Sequence, residues 1–128
     1  MSNILYAEYK DYENEKNTSV NHQKNLTEKL TKEGIDFILL GKNSKEKKEI
    51  VNIFNKDVRP ILEMYNILIA HVGVDFQDQI EPLLNAHPKL KIALVTDFPG
   101  LYHKEHNNRL LVCGYNSNKL IDFIKEEL

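Results

Sequence analysis

The sequence predicts an α/β protein built as a five-stranded parallel sheet, doubly wound by helices into a three-layer sandwich. Three observations predict it. Five short apolar runs alternate with amphipathic stretches along the whole chain. The second to fifth runs are apolar at almost every position, as strands are when both faces of a sheet are covered. The stretches between the runs have helical length and spacing, and strands joined through helices lie parallel, with right-handed crossovers.

Each element has its own justification. Ile4-Leu5-Tyr6-Ala7 is the first strand. Asn17, Thr18 or Ser19 then caps a helix with Val20, Leu26 and Leu30 on one side. Gly34 is placed to end it, because glycine enters the left-handed conformation of a helix C-terminus without penalty. Residues 35–40 form the second strand. Ser44 caps the next helix, which carries Ile50, Val51, Phe54 and Val58 inward. Pro60 breaks or restarts that helix, since proline lacks the amide donor and clashes with the preceding turn. Ile61, Leu62 and Met64 belong to the restarted turn. Residues 67–72 are the third strand. Asp75 or Asp78 starts a helix containing Ile80, Leu83 and Leu84. Pro82 is tolerable there if it lies in the first turn, and Pro88 ends the helix. Residues 92–95 are the fourth strand, followed by a loop or helix and then by the fifth strand, 110–113. Asn116 or Ser117 caps a last helix in which Leu120, Ile121, Ile124 and Leu128 fall at helical spacing.

Length and composition set the outer bounds. At 128 residues the chain is read as one domain, 1–128. Hydrophobic residues at 41% and charged residues at 28% exclude a disordered chain, a coiled coil and a collagen-like repeat. Lys plus Arg is 17 against Asp plus Glu at 19, so no basic excess points to nucleic acid. No apolar run approaches the ~20 residues needed to cross a bilayer. Met1-Ser2-Asn3 leads directly into strand-like residues without the charged and apolar regions of a leader. The expectation is a soluble, cytoplasmic protein with no membrane and no nucleic-acid partner. Cys113 is the only cysteine, so no intrachain disulfide can form.

Ligands of open α/β sheets bind at the carboxyl ends of the strands. The polar residues expected there are Glu8, Tyr9, Asp11 and Glu13 after the first strand, and Gly41, Lys42, Asn43 and Ser44 after the second. His71 ends the third strand. Thr96 and Asp97 follow the fourth, then His103, Glu105 and His106, and Cys113 ends the fifth. No glycine-rich turn follows the first strand, which excludes a dinucleotide fingerprint and a P-loop. The phosphate loop of a flavin site belongs at the same place, where Asp11, Glu13 and Glu15 repel phosphate instead. No Gly-x-Ser-x-Gly elbow is present, and one cysteine cannot build a thiolate-rich zinc site. His103 and His106 can share a helix face and so ligate a metal, but no third ligand lies at a fixed spacing, and the bland reading is a solvated segment. The basic stretch 42–48 reads the same way. No cofactor, no metal and no catalytic residue is assigned.

From residue 66 onward the chain resembles the second half of a response-regulator receiver domain. Asn66-Ile67-Leu68-Ile69-Ala70-His71-Val72 resembles the strand that ends in that family's phosphoacceptor aspartate. Ile92-Ala93-Leu94-Val95-Thr96-Asp97 resembles the strand with the terminal threonine or serine. Leu111-Val112-Cys113-Gly114-Tyr115 resembles the segment that carries the phosphate-binding lysine. The first half fits more loosely, with Ile4-Leu5-Tyr6-Ala7-Glu8-Tyr9 standing where the family has a strand ending in two acids. The resemblance implies a flavodoxin-like, receiver-like fold. It also implies that the family's chemistry is largely missing: His71 replaces the aspartate, Cys113 the lysine, and Tyr9 one acid of the magnesium pair. Glu8 and Thr96 remain.

Two functions follow as expectations. The first is a phosphorylation-independent, pseudo-receiver regulatory module for signal transduction, binding a protein partner or a second copy of itself. The second is a small enzyme or a metal- or ligand-binding domain that uses Glu8, His71, Thr96 and Cys113 at the strand ends, with Cys113 lying beside His71. The apolar residues around Cys113 favour an inert core thiol.

Overall fold

The computed structural model describes residues 3–9, 18–56, 59–72, 76–96, 99–101, 108–114 and 118–127. Five parallel strands, β1 (Ile4–Glu8), β2 (Ile38–Leu40), β3 (Ile67–His71), β4 (Lys91–Val95) and β5 (Leu110–Cys113), form one sheet in the order β2-β1-β3-β4-β5. The helices are α1 (Thr18–Lys32), α2 (Ser44–Lys56), the single turn α3 (Arg59–Leu62), α4 (Gln77–Ala86) and α5 (Asn118–Lys125). This is the α/β, flavodoxin-like architecture the sequence predicts.

Side chains alternate between faces along each strand, so the sheet supports two cores. Leu5, Ala7, Leu68, Ala70, Leu94 and Val112 pack with Ile50, Ile53 and Phe54 of α2 and Ile80 and Leu83 of α4. Ile4, Tyr6, Ile69, Val95 and Cys113 pack on the other side with Leu26 and Leu30 of α1 and Leu120, Ile121, Phe123 and Ile124 of α5. Every residue of β1, β3, β4 and β5 is buried, which accounts for their continuous apolar sequences. Lys91 is the cationic exception in this group. Its Nζ lies 4.4 Å from the centre of the Phe123 ring and donates to the Phe123 carbonyl at 3.3 Å, near the carboxyl end of α5.

Several boundaries differ from the expectation, each for a local reason. β2 covers 38–40 rather than 35–40. Gly34 (φ +72°) turns the chain out of α1, and Ile35 and Phe37 pack against the α1–α5 core before pairing begins. The α2 cap is Asn43, not Ser44. Asn43 Oδ1 accepts from the Glu46 amide at 2.9 Å, while Glu46 Oε1 accepts from the amides of Gly41 and Lys42. Those donors hold the Glu46 carboxyl below its ordinary range. Ile53 joins the core, whereas Val51 stays half-buried. Met64 follows α3 instead of lying in it, and is 60% exposed.

Pro82 lies inside α4, six residues in when Gln77 is counted first, not in its first turn. Phe76 precedes the helix without a side-chain cap, and Asp78 lies within the first turn. The carboxyl end of α4 is closed by Arg109, whose Nη2 donates to the carbonyls of Leu84 and His87, each at 2.7 Å. A 3₁₀ turn, Pro99–Leu101, lies between β4 and β5. No helix among the described residues is long and apolar enough to cross a membrane. Asn17, Val58, Asp75, Asn116, Ser117 and Leu128 lie outside the described residues, as does the side chain of Val20.

Ile124 of α5 is fully buried between the helix and the sheet. Ile124→Ala is expected to lower stability by about 2–5 kcal/mol, measured by urea denaturation against the parent.

Candidate functional site

β1 and β3 lie side by side at the centre of the sheet, and their register sets Glu8 opposite His71. Both side chains stand at the carboxyl ends of their strands with zero exposure. Tyr6 lies two residues before Glu8 and therefore on the same face. Its hydroxyl donates to Glu8 Oε2. His71 Nδ1 lies 2.7 Å from Oε2 and donates to it, and Oε1 sits at the same distance without receiving a directed hydrogen bond. The cluster is a carboxylate held between a phenol and an imidazole inside an otherwise apolar layer.

The energetics explain why three residues take part. A carboxylate withdrawn from water costs several kcal/mol unless donors replace its hydration. Tyr6 and His71 are those donors. With Nδ1–H committed to Glu8, the imidazole ring is fixed in tautomer and direction. The same pairing orients the imidazole of a general base or of a metal ligand. Here the ring is sealed within the fold, so the arrangement positions a histidine without presenting it to solvent.

The other expected residues separate from this pair. Glu8, His71, Val95 and Cys113 form one row across the sheet, and Val95 of β4 stands between His71 and Cys113. Two strand spacings put Cys113 about 10 Å from His71, so it is not the neighbour the sequence reading expected. Burial pushes the Cys113 thiol up to about 11, outweighing the opposite pull of Lys29 and Lys119. Thr96 is buried one residue beyond the row, and its amide donates to the Cys113 carbonyl at 3.0 Å. Among the described residues, no three His, Cys, Asp or Glu side chains come together to hold a metal. Asp11, Glu13, Glu15, Asp97, His103, Glu105 and His106 lie outside the described residues.

Tyr9 follows Glu8 just beyond the end of β1. Its amide donates to the His71 carbonyl at 3.1 Å, and its ring meets Phe76 edge-on at 5.0 Å. Phe76 in turn contacts Phe54 at 5.0 Å, so the face opposite the polar cluster is plugged by aromatic rings. Gly41 presses the β2–α2 connection onto the end of β1. A Cβ there would overlap the Glu8 carbonyl, and its φ of +120° excludes most other residues. The sequence reading missed Tyr6 and Phe76. Tyr6 carried a legible signal, a hydroxyl two positions from an acid on a buried strand. A separate cleft of about 250 Å³ opens between Tyr65, Asn66, His87 and Leu90, at the amino ends of β3 and β4.

The chain matches no family model, no curated protein and no solved structure.

Two predictions rest on this geometry. His71→Ala leaves the buried Glu8 carboxylate with one donor fewer and should cost about 3–5 kcal/mol in chemical denaturation, whereas Glu8→Gln keeps an acceptor for both donors and should cost about 1–3 kcal/mol. Tyr6→Phe should cost about 1–3 kcal/mol as well. Cys113 should label slowly in the folded state, with a rate that rises with pH and reaches no plateau below about pH 11, because the reactive thiolate is scarce below the raised value. His71→Ala should leave the pH dependence of labelling unchanged, since Val95 separates the two side chains.

Proposed function

We propose that this chain is a phosphorylation-independent regulatory module on a receiver-like frame, acting in signal transduction through contacts with a protein partner or a second copy. The observation that carries this reading is the sealed Glu8–His71 pair. A receiver accepts a phosphoryl group on an aspartate open to solvent, beside magnesium held by oxygen ligands. At the corresponding place this chain has an imidazole, and the one acid it retains is committed to Tyr6 and His71 at zero exposure. Tyr9, where a second acid would bind magnesium, packs on Phe76. Cys113, where a lysine would bind phosphate, is a neutral thiol raised by burial.

The alternative, chemistry at the strand ends, draws support from the oriented imidazole. It is weakened by the burial of that imidazole and by the distance to Cys113. A domain whose polar groups at this edge are buried passes a signal through its surfaces.

The test is incubation with acetyl phosphate and magnesium, followed by intact-mass measurement beside an active receiver. No mass gain is expected. A stable gain of one phosphoryl group would overturn the reading, and peptide mapping would locate the acceptor.

A further inference from the structure

The cleft of about 250 Å³ at the amino ends of β3 and β4 lies at the opposite end of the sheet from Glu8 and His71. Two turns form its walls. On one side the chain leaves α3 through Glu63 and Tyr65 toward β3, and the Tyr65 amide donates to the Leu62 carbonyl at 3.1 Å. On the other it leaves α4 through His87, Pro88 and Lys89 toward β4, and the Leu90 amide donates to the His87 carbonyl at 3.0 Å. Hydrogen-bonded walls joined to paired strands make a cleft that is formed in advance of a ligand. Leu62 and Leu90 are buried at its base, and Tyr65 is half-buried beside them.

The charges at its mouth divide by wall. Glu63 is exposed on the β3 side and Lys89 on the β4 side, and neither side chain is paired among the described residues. Behind Lys89, the Arg109 guanidinium donates to the carbonyls of Leu84, His87 and Leu90. Two of those carbonyls stand at the carboxyl end of α4, whose partial negative charge would otherwise repel an anion. One wall is therefore cationic, the other anionic, and the floor between them apolar.

We infer that this cleft binds a free α-amino acid with an apolar side chain. Its ammonium group meets Glu63, its carboxylate meets Lys89, and its side chain lies against Leu62, Tyr65 and Leu90. An anion alone would face Glu63 unmatched, and an amine alone would face Lys89; a zwitterion matches both walls. The volume falls below the roughly 300–1,000 Å³ of ordinary ligand pockets, which limits the occupant to a molecule of this size. The inference goes beyond the proposed function, because it supplies a chemical input at a place that reading does not use.

Titration of the full chain with L-leucine and with L-phenylalanine, followed by amide NMR shifts, tests this. The expected result is fast, saturable binding whose shifts centre on Tyr65, Asn66 and Leu90. Loss of the ligand's amino group (isocaproate in place of leucine) or of its carboxyl (isoamylamine) should weaken binding about fivefold, the upper value for a charge pair near the surface. Glu63→Gln should weaken the amino acid to the same extent without weakening isocaproate. Lys89→Met should weaken the amino acid without weakening isoamylamine. Both positions are exposed, so the melting temperature of the unliganded variants should match the parent and separate lost binding from lost folding. No saturable shift with either amino acid, shifts centred away from the cleft, analogues that bind as well as the amino acids, or variants that bind every ligand alike would each overturn the assignment. None of those results bears on phosphodonor inertness, so the two readings fail separately.

Discussion

A carboxylate with zero exposure in the middle of a sheet tolerates little freedom around it. Glu8 keeps its place because Tyr6 on its own strand and His71 on the next supply the hydrogen bonds that water would have made. That requirement constrains the register of the two central strands. A slip of β1 by one residue would turn Glu8 toward the opposite core, the one that holds Phe54, Ala70 and Phe76. Apolar side chains tolerate such a slip better, because burial is non-directional and hydrogen bonds are not. The polar cluster thus specifies the pairing of β1 with β3, and β2 and β4 take their positions on either side.

The constraint also shapes what the edge can do. Where an open sheet usually gathers ligands, these strand ends are closed by buried side chains that bond to one another. Gly41 brings the β2–α2 connection down onto the Glu8 carbonyl, and the ring of Tyr9 meets Phe76 edge-on on the other side of the sheet. The frame has the strand order of a flavodoxin-like domain, while its binding edge behaves as a second core.

Much of this architecture was legible in the sequence. β5 matched its apolar run at both ends, and β3 and β4 shifted by only one residue, because strands buried on both faces announce themselves as continuous hydrophobic segments. β2 was less legible, since 35–40 is equally apolar but only its last half pairs. Asn43 and Ser44 are both capable caps, and only the Glu46 side chain reaching back distinguishes them. At the site, Glu8 and His71 stood out as polar residues closing apolar runs. Tyr6 did not, because a tyrosine inside a strand reads as packing until its hydroxyl is seen to have a partner. The separation of His71 from Cys113 depends on β4 lying between β3 and β5, a fact of lateral order that one-dimensional spacing does not encode.

The Glu8–His71 bond spans 63 positions of sequence, and its consequence is a matter of chain entropy. Both neighbours of β1 in the sheet, β2 and β3, follow it in the chain, and the one that supplies the imidazole is the more distant. β3, α4 and β4 follow one another closely and meet across a far shorter closure. The polar contact at the middle of the sheet is therefore also one that ties distant parts of the chain together, and it raises the share of non-local contacts on which the fold depends.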